Sequence, residues 1–380
     1  MKKVVVIGAG FAGSVSARLL ADKGYNVEIY EERDTIAGNA YDYLDRSDSY
    51  IHLYGPHIFH TNIKEVYEFL SNYTKWFPYE HKVLGYIDGK YVPIPFSLKS
   101  LEMLFPKKDA LKLKKIMIDK YKEGKIPISK IKEENDDDMR NLADYVYNKV
   151  FLNYTKKQWD LLPEQLGDNV TGRVPVYISY DERYFQDKYQ CMPQEGYTTL
   201  FKNMLNHQNI KVITGKKVKD EITFKNDKVY FNGEEVILIY TGLIDELFDY
   251  KYCMLDYRSL KFEFENLNQK SYQDAAVVNY PNDNKFTRIT EFKKFTKEKC
   301  TSDNTTIVRE YPCKYEKGMI PYYPIPLKKY EDKYSKYKIE ALKYKNLYLV
   351  GRLAEYKYYN MDLVVKSAMD IVKEITKGDK

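Results

Sequence analysis

Arginine is scarce in this chain: ten arginines stand beside 51 lysines in 380 residues, and 55 acidic side chains hold the formal net charge to +6. The two signs interleave along most of the sequence. No basic block or stripe of the kind that tracks a nucleic-acid backbone is present. Cysteine is scarce too. Cys191, Cys253, Cys300 and Cys313 include no C-x-x-C pair, so neither a zinc ribbon nor a disulfide framework is indicated. No apolar run approaches the roughly 20 residues that span a bilayer, and Val4 opens an apolar strand with no secretory h-region or cleavage site before it. These absences point to a soluble, cytoplasmic globular enzyme or binding protein of two or three domains. What is abundant is tyrosine, at 39 residues.

The first forty residues carry the strongest local signal. Lys3 to Ile7 reads as a short buried strand, Gly8-Ala9-Gly10-Phe11-Ala12-Gly13 follows at once, and Ser14 to Lys23 reads as a helix stopped by Gly24. Val27 to Tyr30 is a second strand, ending in Glu31-Glu32-Arg33. In a G-x-G-x-x-G between strand and helix, Gly8 permits the tight turn, Gly10 lets backbone approach a pyrophosphate, and Gly13 allows close helix–strand packing. The free N–H groups at the helix start favour phosphate, and Glu31 can accept hydrogen bonds from a ribose. A dinucleotide site is expected. Arg33 and then Ala37-Gly38-Asn39 extend it in the manner of the flavoprotein branch, E-x-R-x-x-x-G-G, with Ala37 in place of the first glycine. Near the other end, Asn346 to Arg352 reads as a strand ending in Gly-Arg, and Asp362 to Thr376 as an amphipathic helix. The chain is therefore expected to start and finish in one Rossmann-like domain.

Between these ends, Ile63 to Tyr73 reads as a helix and Val83 to Pro95 as a hairpin around Asp88-Gly89. Leu98 to Tyr121 and Met139 to Val150 have helical periodicity with lysine-rich outer faces, a small helical domain. Val174–Tyr180, Leu255–Phe264, Ala275–Tyr280, Thr287–Phe292 and Thr305–Tyr311 are β-rich runs expected to form an antiparallel sheet. Gly196 to Asn206 reads as a helix, and Val212 to Thr241 as strands returning to the nucleotide domain.

Several constellations invite chemistry. His57 and His60 stand at i, i+3, but no acidic or cysteine ligand is close in sequence, and a metal is not expected. Tyr154 and Trp159 at i, i+5 can flank a planar base by stacking, although aromatics are more often core. Arg173 follows a glycine able to hinge a loop, and Arg288, Glu310 and Tyr322 sit in separate β-rich or proline-flanked runs. Taken alone, each arginine reads as a surface or salt-bridge residue.

Taken together, the segments resemble a family. G-A-G-F-A-G, A-G-N-A-Y, Tyr54 to Asn62 (Y-G-P-H-I-F-H-T-N), Y-T-K-K-Q-W, the Tyr184 segment, Y-T-G-L-I-D, D-Y-R-S-L-K-F-E, E-Y-P, P-Y-Y-P and G-R-L-A-E-Y-K-Y-Y-N-M follow one another, from Val4 to about Val372. Their order and spacing are similar to those of UDP-galactopyranose mutases of the prokaryotic type. The resemblance implies an α/β fold: a Rossmann-like FAD-binding domain (1–75, 192–246 and 340–380), an inserted helical bundle (96–160), and an antiparallel sheet domain facing the substrate (76–95, 161–191 and 247–339). It implies interconversion of UDP-galactopyranose and UDP-galactofuranose, supplying furanose for cell-surface polysaccharide. Reduced FAD would attack the anomeric carbon through N5, displace UDP, and open and reclose the sugar ring. NADPH or NADH is the expected reductant and a homodimer the expected assembly.

By the same resemblance, Arg173 and Arg288 hold the diphosphate, where guanidinium forks suit adjacent phosphates. Tyr184, Tyr322 and Tyr358 add phenolic donors, Tyr154 and Trp159 hold the uridine, and Glu310 is the acid near the sugar. His57 faces the flavin. Gly8, Gly10, Gly13, Glu31, Arg33, Gly38, Asn39, Arg352 and Met361 complete the cofactor site. Departures occur at Asn360, where the family has aspartate, at Glu80-His81-Lys82 and at Gln194-Glu195-Gly196, and these are expected where the sugar is recognised. Three other readings stand beside this one: the same reaction on an N-acetylated, deoxy or otherwise modified hexose, an amine-oxidase-like flavin oxidoreductase, and a non-catalytic nucleotide-sugar-binding protein.

Overall fold

β1 (Lys3–Ile7) runs down the middle of a five-stranded parallel sheet, with β2 (Asn26–Tyr30) and then Ile210–Ile213 on one side, and Ile237–Tyr240 and then Leu347–Leu349 on the other. The strand order, third-second-first-fourth-fifth along the chain, is that of a Rossmann-like sheet. Val4, Val5 and Val6 are fully buried, as expected of a central parallel strand covered on both faces. The computed structural model describes residues 3–166, 175–296 and 301–377. Helix α1 (Phe11–Ala21) packs against the last helix, Met361–Lys377, whose buried stripe includes Val365, Ala368, Met369 and Val372. Chain start and chain end thus share one core, and the expected helix at 362–376 is present with one extra residue at each end.

The second large sheet has seven strands, in the order Tyr323–Pro324, Tyr257–Leu267, Thr305–Lys314, Arg288–Glu291, Val277–Asn279, Val83–Ile87 and Lys90–Ile94. It departs from the purely antiparallel expectation at one place, where Val277–Asn279 runs parallel to Val83–Ile87. The reason is topological: the hairpin at Asp88-Gly89 is a separate two-stranded unit that docks sideways onto a sheet built from residues much later in the chain.

The expected helix over 98–121 is two helices, Leu98–Leu104 and Lys107–Tyr121. Pro106 has no N–H to continue the first helix and disfavours the helical conformation at Phe105, which is extended. The helix expected at 139–150 begins at Asp137, with Asp136 capping its N-terminus, and does not stop at Val150. It passes through a π-helical turn at Tyr147–Leu152 into a further helix, Asn153–Trp159. A π turn advances the chain more residues per turn than an α turn, so it resets which side chains of the following helix face the sheet. One strand, Gly124–Ile126, lies among these helices and pairs with Val176–Ile178. The strand expected from Val174 begins at Val176, and Val174 itself lies outside the described residues.

Candidate active site

The last residues of three parallel strands, Ile7, Tyr30 and Tyr240, open onto a cleft of about 440 Å³. This is the carboxyl end of the sheet at the point where strand order reverses, the place such sheets bind ligands. Gly8 turns with φ of 100°, and a β-carbon there would lie 2.2 Å from Thr241 Oγ1. One at Gly13 would lie 1.9 Å from the Gly8 carbonyl oxygen, so Gly13 is the residue that lets α1 sit on β1. Gly10 and Gly38 face each other at backbone contact distance. Ala37, in place of a glycine, holds a left-handed backbone (φ 78°) fixed by its N–H donating to Ala9 O at 2.9 Å.

Charge and hydrogen bonding in this cleft suit a dinucleotide. α1 starts at Gly10 with no side-chain cap, leaving its first N–H groups for an anion. The buried Glu31 carboxylate accepts from the Ala9 and Arg33 N–H groups at 2.8 and 3.1 Å and keeps lone pairs for hydroxyls. Arg33 stacks over Tyr54, donates from Nη2 to Asn39 Oδ1 at 2.9 Å, and leaves Nη1 buried with no partner. A buried guanidinium nitrogen is costly to leave unpaired, and Arg33 lines this cleft. At the far end stand His57, Arg352 and Met361. Arg352 is oriented by Nε donating to Tyr359 O at 2.6 Å. The His57 Nδ1 bonds Gly55 O at 2.8 Å, so Nδ1 carries the proton and Nε2 is an acceptor. Burial, with Arg352 and Arg288 nearby, outweighs that bond and lowers the His57 pKa to about 4.

A second cleft, about 720 Å³, lies between the helix Asn153–Trp159 and the seven-stranded sheet. Tyr154, Trp159, Tyr184, Arg288 and Tyr358 line it together. Trp159 meets Tyr358 edge-on at 5.3 Å and Tyr323 at 5.9 Å. The cleft wall also carries apolar side chains, among them Ile94, Ile128, Val150, Phe151 and Leu166. Arg288 is held from behind: its Nε donates to Glu310 Oε1 at 2.7 Å across directly opposed positions of adjacent strands. Burial by itself would weaken the Arg288 charge, but Glu310 and the phenols of Tyr154 and Tyr323 outweigh it and hold the guanidinium well above its usual range. Burial raises the Tyr154 phenol as well, so it remains a proton donor. Arg288 lines the second cleft and also acts electrostatically on His57, which lines the first.

Several expected site residues stand elsewhere. Tyr322 is buried against Phe262 and is not on the wall of either cleft, whereas Tyr323 is. Tyr323 opens the short strand Tyr323–Pro324 opposite Arg258, and Tyr322, just before it, donates its N–H to Arg258 O at 2.9 Å, so this pairing decides between two adjacent tyrosines that sequence cannot separate. Glu310, 1% exposed, stands behind Arg288 and is not on the cleft wall. Asn360 is on neither wall; its carbonyl accepts the Val364 N–H at the start of the last helix. His81 is buried, with its ring beside Tyr79, Tyr184 and Phe185, and Glu195 is exposed at the start of the helix Gly196–Leu205. Neither lines either of these clefts, although His81 packs edge-on against Tyr184, which lines the second. Arg173 lies outside the described residues. His60 bonds Asp187 and stacks on Phe185, away from the Gly55 carbonyl that holds His57. Among the described residues no cluster of three or more histidine, cysteine or acidic side chains is placed to hold a metal, and no helix is long and apolar enough to cross a membrane.

Two cations that sequence reasoning passed over fix the helix Asn153–Trp159. Arg258, 5% exposed, donates from Nε and Nη2 to the carbonyls of Gln158 and Lys157 at 3.0 and 3.2 Å, satisfying and neutralising the helix C-terminus. Lys157 reaches the other way, into the loop before Arg288. No local signal marks either: both depend on partners about a hundred residues away.

A family model described as UDP-galactopyranose mutase matches residues 149–358, and one described as an NAD(P)-binding Rossmann-like domain matches residues 6–73. The chain is 33% identical over 385 residues to a dTDP-fucopyranose mutase of Escherichia coli, covering 100% of both chains. It is 33% identical over 352 residues to a UDP-galactopyranose mutase of Mycoplasma genitalium, covering 88% of this chain and 87% of that one. A crystal structure of reduced UDP-galactopyranose mutase superposes with a TM-score of 0.74 at 16% identity, over 99% of this chain and 96% of that one.

Proposed function

The chain belongs to the UDP-galactopyranose mutase family, which makes it an isomerase of nucleotide sugars, and from that premise we propose that it interconverts the pyranose and furanose forms of a nucleotide-diphospho-hexose with FAD in the first cleft. The observation that carries the reading is the position of Arg288: it lies on the second cleft among Tyr154, Tyr184, Tyr323 and Tyr358, and near enough to the first to act on His57. A diphosphate seated there brings a sugar to the junction of the clefts. Arg173 is proposed as a second cation on that diphosphate.

FAD fits the residues present. The uncapped start of α1 and the Gly10–Gly38 approach suit its pyrophosphate, Glu31 its ribose, and the unpartnered Arg33 Nη1 a polar atom of the cofactor. When bound and reduced, FAD supplies the nucleophile that no side chain here offers. The protein's own work is placement and exclusion. Arg288, held rigid by Glu310, grips a leaving diphosphate by a charge-assisted fork so that it is not lost between departure and return. The phenols donate to phosphate while their rings keep out water, which would hydrolyse an activated sugar. His57, neutral at physiological pH, offers Nε2 as an acceptor, and Arg352 supplies positive charge beside it. We further propose the three-part division given above, a homodimer, a cytoplasmic location, NADPH or NADH as reductant, and furanose for surface polysaccharide as the product's use.

UDP-galactose is the first substrate to test, but a second reading, a dTDP-linked 6-deoxyhexose, is favoured by the dTDP-fucopyranose mutase that aligns over the full length of both chains. Product analysis by NMR with dithionite-reduced protein and both nucleotide sugars tests both. Furanose from neither, or steady flavin reduction driven by substrate alone, overturns the mutase reading.

A further inference from the structure

Helix Asn153–Trp159 presents Tyr154, Thr155, Gln158 and Trp159 to the second cleft. At 100° per residue, Lys157 falls away from that face, and its half-buried ammonium sits among the carbonyls of a distant loop. It donates to Tyr280 O, to Asn284 O at 3.0 Å, and at longer reach to Phe286 O and Asn282 O at 3.3 and 3.4 Å. The loop closes at Thr287, the residue before Arg288. A parallel neutral tie joins the same elements: Asn153 Nδ2 donates to Asn282 Oδ1 at 3.2 Å, and Asn282 Nδ2 to Lys149 O at 3.1 Å.

We propose that Lys157 is a positioning residue that sets the distance between the two ends of the nucleotide site, the aromatic pair Tyr154 and Trp159 on its own helix and the diphosphate cation Arg288 beyond the loop. A lysine serves this place because a compact ammonium with three donors can satisfy several convergent carbonyls at once. The four carbonyls come from one loop, and the lysine from the helix, so the bond set is the measure of the gap between them. A ligand that spans base and diphosphate binds well only when that gap matches its length. The inference rests on the proposed function, since it takes the ligand to be a nucleoside diphosphate.

The test uses the flavin-loaded full chain and measures UDP and dTDP affinity, KM and kcat for the turned-over nucleotide sugar, flavin content and Tm for native, Lys157→Met and Asn282→Ala proteins. Lys157→Met keeps the length and removes the donors. It is expected to weaken nucleotide binding and raise KM by about tenfold or more, with kcat at saturation within about threefold of native and flavin content unchanged. Asn282→Ala, which loosens the same tie while leaving the ammonium, is expected to give a smaller shift in the same direction. Native-like affinity and KM in Lys157→Met, even with a lowered Tm, overturns the proposal and leaves only a structural role. If Lys157→Met does not fold, Asn282→Ala decides: unchanged affinity overturns it. A native protein that binds neither nucleotide sinks the functional reading itself, an outcome read in the native arm and independent of either variant.

Discussion

Arg288 and Glu310 are direct cross-strand partners: Nε of one lies 2.7 Å from Oε1 of the other, the arginine reaching the cleft and the carboxylate 1% exposed behind it. Such a pair costs much to desolvate, and removing one member costs more than the pair contributes, because a charge is left behind. Glu310 is therefore best understood as the residue that aims Arg288. Glu310→Ala is expected to lower stability by about 2 kcal/mol, less than the roughly 3–5 kcal/mol of a fully buried pair because Arg288 keeps access to the cleft. Urea unfolding measures it. The same variant is expected to lose about 10- to 100-fold in kcat/KM as the fork loses its orientation, and activity within a few-fold of native would refute that role.

Arg288→Lys separates charge from geometry. The ammonium keeps the positive charge but has no planar fork to bond Glu310 and a phosphate together. A fall of about 100-fold or more in kcat/KM is expected, with stability closer to native than in Glu310→Ala. If lysine sustained near-native turnover, a point charge would suffice and the fork argument would be wrong.

Acid sensitivity follows from three imidazoles, His52 and His81 in the interior and His57 partly enclosed on the cleft wall. Burial, as the largest cause, lowers His52 and His81 to about 3 and His57 to about 4. In the unfolded chain they protonate near the ordinary value of about 6.5. Below that pH the unfolded state takes up protons that the folded state refuses, so stability is lost as pH falls from about 6.5 towards 4, and these groups leave it unchanged above pH 7. Tm measured from pH 8 to pH 4.5 is expected to decline steeply over the lower half of that range. His81→Asn is expected to make the decline shallower, and an unchanged slope would show that His81 is not among its causes.

Gly13→Ala places a methyl 1.9 Å from the Gly8 carbonyl oxygen, and backbone on both sides has little room to yield. Loss of about 1–3 kcal/mol or more is expected. With it the turn that receives the cofactor shifts, so purified protein is expected to lack flavin absorbance. Full flavin occupancy in this variant would show that helix and strand can separate without disturbing the site.

Asp42 caps a helix it is not part of. Its carboxylate accepts the N–H groups of Tyr197 and Thr198, at 2.6 and 2.8 Å, at the start of Gly196–Leu205. Asp42→Ala is expected to cost about 1–2 kcal/mol, read by denaturation, with flavin content and KM unchanged. A changed KM would connect this helix to the substrate site, through Tyr197, whose ring meets His57 edge-on at 6.5 Å.

The sequence by itself determined what local chemistry determines. A strand, a glycine turn, a helix and an acid at the second strand's end announced the dinucleotide cleft, because each needs only its neighbours in the chain. The ordered motifs announced the family for the same reason. Tertiary structure decided everything that depended on which face or which distant partner a residue meets. It put Tyr323 on the cleft wall and turned Tyr322 into the interior, since the pairing of this segment with Arg258 fixes where each points. It set Glu310 behind Arg288 as its partner, left His81 and Glu195 off the walls of the two clefts, and gave Lys157 and Arg258 their carbonyls. The scarcity of arginine sharpened accordingly: Arg33, Arg288 and Arg352 line the two clefts and Arg258 holds a helix end through two nitrogens, and those places exist only once the chain has folded.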